Sequence, residues 1–225
     1  MNNSTLRQLQ RLLDKADIPA EEKGLVLNRL LAEAWLAPCA RLPRVPSWLN
    51  RYHAPVSLPC VSRFLAQLTA QPEGTPHAFT PESIAIISEL FRSDTRRHNA
   101  FYTPFEQGQL LAQKTLTAWL IKHLGLTYDQ AQRWLSAGPN HTDPQTSRRL
   151  LQLKICDPAA GAGGLLIPMW LMLARLAARL DPAQSESRLL VTIARQNLFA
   201  CDISAQALKD LRLRAALTLQ SRGIT

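Results

Sequence analysis

Apolar residues return at every third or fourth position through most of the chain, the period of an amphipathic helix, and strand-like patterning is confined to two short stretches after residue 150. Residues 4–15 predict a short helix. Pro19 followed by Glu21 and Glu22 marks a second helix start, because proline suits the first turn and carboxylates suit the positive end of the dipole. Leu27, Leu30, Leu31, Ala34 and Trp35 then follow at helical spacing. Pro38, Pro43, Pro46, Pro55 and Pro59 exclude a helix through the next stretch. Val61–Leu68 predicts another helix, and Thr80-Pro81-Glu82 opens a further one with Ile84, Ile87 and Leu90 or Phe91 on one face. Ser93–Asn99 is a polar link.

From Phe101 the pattern changes. Thr103-Pro104-Phe105-Glu106 has the form of a capping box, a hydroxyl three residues before a glutamate, ahead of a helix carrying Ala112, Leu116, Trp119, Leu120 and Leu124. Thr127 and Gln130 repeat the form. Gly138–Thr146 offers turn residues and reads as a loop. Leu151–Cys156 alternates like a strand. Asp157-Pro-Ala-Ala-Gly-Ala-Gly-Gly164 is a tight glycine loop, and Leu165–Leu180 is a helix apolar almost all round. Asn197–Cys201 predicts a second strand, after which Ser204 can cap a last helix with Leu208, Leu211, Ala215 and Leu219 inward. Strand, glycine loop, helix, strand, helix is the opening of a doubly wound sheet. The expected fold is therefore α/β: a helical N-terminal domain over residues 1–100, then a Rossmann-like domain over residues 101–225 with about two parallel strands.

Composition narrows the class. Of 225 residues 46% are hydrophobic and 19% charged, which fits a globular protein. No apolar run approaches the about 20 residues needed to cross a bilayer, and the polar first residues lack a signal segment, so no membrane role and a cytoplasmic location are expected. Cys39, Cys60, Cys156 and Cys201 form no CxxC or Cys/His cluster, so no metal site is expected, and a reducing compartment suits them. The net charge of +9 is diffuse; it permits phosphate contact, and equally fits arginines on exposed helix faces.

The glycine loop is the most informative feature. Such a turn presents backbone N–H groups at a helix N-terminus and lets a ligand approach closely. It lacks the third glycine of the dinucleotide pattern. Asp157 beside it would repel a pyrophosphate but suits a ligand bearing an ammonium group. S-adenosylmethionine carries an amine, a sulfonium and a carboxylate. The plain alternative is a turn that only tightens strand–helix packing. Asp202, after the second strand, could accept the ribose hydroxyls, or simply cap the following helix; it lies well beyond the about 20 residues usual in nicotinamide enzymes.

Together these residues resemble the adenine-N6 DNA methyltransferases, and among them the modification subunits of type I restriction systems. Asp157–Ile167 resembles the family's first cofactor motif, Phe199–Leu208 its second, and Phe101-Tyr102-Thr103-Pro104 its Tyr-Thr-Pro segment, in the family's order. The resemblance covers residues 101–220; residues 1–100 share only the helical character. It implies that Thr103, shaped by Tyr102 and Pro104, lies near the methionine carboxylate. Asp157 and the backbone of Ala159, Gly161 and Gly163 would hold the amino-acid end. Asp202 would hold the ribose, and Ile203 would pack on the adenine. A capping box explains Thr103 equally well.

The chain departs from the family in one respect. The family grips its extruded adenine with an (Asn/Asp/Ser)-Pro-Pro-(Tyr/Phe) segment, and no Pro-Pro pair occurs here. No catalytic residue is therefore assigned. No nucleophile elbow, P-loop lysine or clustered histidines replace it. The expectation is the S-adenosylmethionine-binding part of a DNA adenine-N6 methyltransferase, either a truncated product or one half of a split enzyme whose second polypeptide continues the sheet. It would be inactive alone and would act on duplex DNA when complete. The alternatives are a non-enzymatic helical interaction protein with a degenerate cofactor domain, and a methyltransferase acting on protein or small molecules.

Overall fold

The structure, a computed structural model, describes residues 3–15 and 103–224, together with Ile18, Lys23, Val26, Leu27, Leu30, Arg63, Ala66 and Ser83. The chain divides into two compact units, Met1–Tyr102 with Arg212–Leu217, and Thr103–Leu211 with Thr218–Thr225. The described residues are mostly helical with a small two-stranded parallel sheet, an α/β composition. Among them no helix is long and apolar enough to cross a membrane.

In the first unit, helix α1 spans Asn3–Asp14. Leu9 and Leu13, one turn apart, are fully buried, while Arg7, Gln8 and Gln10 are exposed, as the helical period requires. Lys23, Val26, Leu27 and Leu30 are helical and the three apolar ones are buried. Lys23 pairs with Asp14 at 3.0 Å. Arg63, Ala66 and Ser83 are also helical. The remainder of the helices expected over Val61–Leu68 and after Thr80, the proline-rich stretch, and Leu31, Ala34 and Trp35 lie outside the described residues.

The second unit contains α2 (Phe105–Leu124), α3 (Tyr128–Ser136), α4 (Pro144–Leu150), β1 (Ile155–Asp157), α5 (Leu166–Leu180), α6 (Glu186–Gln196) and β2 (Leu198–Ala200). Helix α7 (Ala205–Gln220) belongs to both units. Gly125, left-handed at φ 67°, ends α2, and a full capping box of Thr127 with Gln130 opens α3. Gln113 hydrogen-bonds Gln132, which donates to Thr117 Oγ1 at 2.9 Å, and these bonds join α2 to α3.

Helix α5 is the core of this unit. Leu166, Met169, Trp170, Leu173, Leu176, Ala177 and Leu180, the positions its period marks out, are all buried, and α2, α4 and α6 pack on it. Two polar contacts fix the packing: Trp170 Nε1 donates to Leu190 O at 2.8 Å, and Ser147 Oγ to Ala177 O at 3.0 Å. The strands β1 and β2 are parallel, pairing Ile155 with Leu198, Cys156 with Phe199 and Asp157 with Ala200. Buried Asn197 starts them, donating through Nδ2 to Leu151 O and Leu153 O while its carbonyl accepts from Ile155. One sheet face is half-buried; Cys156 and Phe199, on the other, are exposed.

Three expectations need correction, and one segment carries a helix that the sequence pattern did not assign. The strand expected over Leu151–Cys156 is only Ile155–Asp157, because Leu151 is the C-cap of α4 and the N–H groups of Gln152 and Leu153 bond back to Arg149 and Leu150. The loop over Gly138–Thr146 stops at Asp143, the N-cap of α4, with Pro144 at the first helical position. The segment between Asp181 and Arg195 contains α6, capped by Ser185 and burying Leu189, Leu190 and Ile193. In α7, Leu211 is buried as expected but Leu208, Ala215 and Leu219 are half-buried, because the buried stripe includes Asp210, which accepts from Gln206 at 2.8 Å.

The Asp143 cap carries a pH signature. Hydrogen bonds from Thr146, first through its side chain and then its backbone, hold the Asp143 carboxyl below the usual carboxylate range. A lowered folded pKa gives stability that is present above the unfolded value and lost as pH falls through the folded one. Asp143→Ala should destabilise the unit by about 1 kcal/mol at neutral pH, with the difference from wild type shrinking below about pH 4. Urea titrations at neutral and acid pH check this; a difference that persists unchanged at the acid end would dissociate it from the ionised carboxylate.

Candidate functional site

The carboxyl ends of two parallel strands lie side by side, and the chain after each must turn out of the sheet. At β1 it does so through Asp157, whose Oδ1 accepts from Ala159 N at 3.1 Å. At β2 it does so through Asp202, whose Oδ1 accepts from Ser204 N at 2.8 Å. Both are the local side-chain turns that aspartate favours. Cys201 N donates to Asp157 O and Ala160 N to Cys201 O, each at 2.9 Å, so the strand pairing continues into the turns. Asp202 Oδ2 then accepts from Gly161 N at 2.7 Å. Asp202 is thus a bracket between the second turn and the glycine loop.

The glycines are required by backbone geometry. Gly161 (φ 55°) and Gly163 (φ 83°) are left-handed. A β-carbon on Gly163 would also lie 2.3 Å from Leu211 Cδ1. Gly163 N donates to Ala160 O at 2.8 Å, closing the loop, and its carbonyl accepts from Ile167 N at 3.0 Å as α5 begins. The N–H groups expected at the ligand are therefore engaged already, those of Ala159 and Gly163 within the loop and that of Gly161 by Asp202. Those of Gly164, Leu165 and Leu166, which sequence reasoning did not single out, meet no acceptor among the described residues. They are the orphan donors of a helix N-terminus, a place that favours an anionic group.

Thr103 lies against this end of the loop. A β-carbon on Gly164 would be 2.9 Å from Thr103 Cβ, 3.1 Å from its carbonyl oxygen and 3.5 Å from Oγ1. The capping box expected of Thr103 and Glu106 does not form. The N-cap of α2 is Pro104, at φ −54° and ψ 143°, with no side-chain cap, and Pro104 O accepts from Gly108 N at 3.0 Å. With ψ extended at Pro104, the helix starts one residue along and the Thr103 hydroxyl stays outside the cap.

Thr103, Asp157, Ala159, Gly161, Gly163 and Asp202 are thus joined into one neighbourhood by direct contacts. Ile203, 82% exposed, stands on its rim beside Asp202. Tyr102 lies outside the described residues. Chemically the neighbourhood offers N–H and hydroxyl donors at one end and two half-buried carboxylates near the strand ends. Among the described residues it holds no nucleophile–base pair, and no group of acidic, histidine or cysteine side chains there could hold a metal ion. His123 and His141 lie elsewhere, in ring contact with Trp119 and Trp134. Cys156 and Cys201 are exposed free thiols. Comparison of the chain with protein-family models, with curated proteins and with solved structures gives no match.

Proposed function

We propose that this chain binds S-adenosylmethionine at the carboxyl ends of β1 and β2, as the cofactor part of a DNA adenine-N6 methyltransferase. Its second unit would be an incomplete Rossmann-like class I methyltransferase domain preceded by a helical one. The observation that carries the reading is the joining of the Asp157–Gly164 loop to Asp202, with Thr103 set against Gly164, whose N–H, like those of Leu165 and Leu166, meets no acceptor among the described residues. Ligands of open α/β sheets bind at such strand ends.

The residues fit the cofactor's three functional groups. Gly164, Leu165 and Leu166 N–H with Thr103 Oγ1 suit its carboxylate. Asp157 uses one oxygen on Ala159 and keeps acceptor capacity for the ammonium group. Each Asp202 oxygen accepts one N–H and retains a second lone pair for a ribose hydroxyl. Ile203 would cover the adenine. The bound cofactor supplies an activated methyl on its sulfonium; these residues hold and orient it. The 225 residues contain no Pro-Pro-aromatic segment, so methyl transfer to duplex DNA would draw on residues outside this sequence, on a second polypeptide or a further stretch of chain.

One observation favours a second reading, a helical interaction protein with a degenerate cofactor domain. Both Asp202 oxygens already accept backbone N–H groups, so the loop closes without a ligand. Calorimetric titration with S-adenosylmethionine separates the two. Saturable one-to-one heat is expected, with no methyl incorporation into unmethylated DNA by this chain alone. No saturable heat with about 1 mM ligand, a binding free energy weaker than roughly −4 kcal/mol, would leave the interaction protein standing.

A further inference from the structure

Gly108, near the start of α2, takes part in none of the chemistry above, yet it sets how closely that helix approaches the loop. A β-carbon on Gly108 would stand 2.0 Å from the carbonyl oxygen of Gly164 and 3.0 Å from Pro168 Cγ. The first of these is backbone and cannot rotate away. Any side chain at Gly108 must therefore push α2 off the loop, and Thr103, immediately before α2, moves with it. Gly164 meets Thr103 with the same lack of room. The two glycines together bring the Thr103 hydroxyl to the helix end where Gly164, Leu165 and Leu166 N–H meet no acceptor among the described residues.

A helix N-terminus alone holds small anions without discrimination. A hydroxyl donor at a fixed place beside it adds geometric selection, but only while α2 stays at this distance. We propose that Gly108 is a positioning residue that makes the site select nucleosides bearing an amino-acid carboxylate over bare nucleosides. It does so by letting α2 hold Thr103 against Gly164, at the N–H groups that meet no acceptor among the described residues. The inference rests on the cofactor reading given above and adds the residue that controls ligand class. Asp157 and Asp202 bond Ala159 and Gly161, whereas α2 and Thr103 meet the loop at Gly164, so a displaced α2 should leave the nucleoside end of the site as it was.

The test compares three ligands by calorimetry on the full chain: S-adenosylmethionine, S-adenosylhomocysteine, and 5′-methylthioadenosine, which lacks the amino-acid carboxylate. Gly108→Ala should weaken the two carboxylate-bearing ligands by about 10- to 150-fold, the value of one hydrogen bond to a charged group, and methylthioadenosine by no more than about twofold. Thr103→Ala, which introduces no clash, should show the same split, and it decides the matter if Gly108→Ala does not fold. Equal weakening of all three ligands would make Gly108 and Thr103 general packing residues and overturn the inference while leaving the cofactor reading intact. Unchanged binding of all three in folded variants would overturn it as well. Wild-type protein that binds none of them would overturn both.

Discussion

Asp202→Ala should abolish measurable S-adenosylmethionine binding, a loss of at least about 100-fold, while leaving the chain folded. Two effects act together. The carboxylate would supply the acceptor for the ribose, and a hydrogen bond to a charged group is worth about 1.5–3 kcal/mol. It also brackets the loop, since its two oxygens accept from Gly161 N at 2.7 Å and Ser204 N at 2.8 Å. Alanine releases both N–H groups. Because Asp202 is half-buried, water can satisfy them, so the stability cost should stay near 1–2 kcal/mol. The glycine turn then loses the bond that ties it to β2, and the donor array at the start of α5 no longer has a fixed position. Asp202→Asn is the informative companion. Its amide can accept from one N–H but presents an NH₂ to the other, so it should fall between wild type and alanine in both affinity and melting temperature. Calorimetry and thermal melting read the two effects separately. Wild-type affinity in Asp202→Ala would remove this residue from the ligand site and leave it only as the bracket between the two turns.

The glycine loop was legible in the sequence because left-handed glycines and a flanking aspartate are local signals. The long helix α5 was legible for a related reason: it is buried on most sides, so its apolar period shows without knowledge of its neighbours. Other features depend on tertiary contacts. Thr103 and Glu106 satisfy the capping-box pattern, yet Pro104 becomes the N-cap because Thr103 is drawn onto Gly164. No local rule anticipates that contact. Helix α4 is short and partly polar, and its start was hidden in a stretch of turn residues; the Asp143-Pro144 pair was the available signal. Asn197 fell at the start of the expected second strand, but it is the fully buried C-cap of α6 and organises the start of both strands through distant carbonyls. Cys156 and Phe199 form an exposed sheet face. Two parallel strands cover little area, and parallel sheets are ordinarily covered on both faces. The role of Gly108 was invisible in sequence, since its partner atom is a backbone oxygen more than fifty residues away.

The largest effect on stability is expected at Trp170. Its side chain is 1% exposed, in the middle of α5, and its indole N–H donates to Leu190 O at 2.8 Å, linking α5 to α6. Trp170→Ala removes the largest fully buried side chain among the described residues and leaves a cavity in the core of this unit. Such truncations cost about 3–5 kcal/mol, and the unpaired Leu190 carbonyl adds to it about 1–3 kcal/mol unless water enters the space. Set against a total stability of about 5–15 kcal/mol for a domain, the variant should be close to unfolded at body temperature. Trp170→Phe separates the two contributions. It keeps most of the apolar volume but loses the N–H, and should cost about 1–3 kcal/mol. Urea unfolding followed by circular dichroism reads both variants as a lowered midpoint with an unchanged slope. Because the glycine loop runs directly into α5, loss of the ligand site should follow the unfolding curve and never precede it. A Trp170→Ala protein less than about 1 kcal/mol weaker than wild type would mean that α5 is not the core on which the site is built.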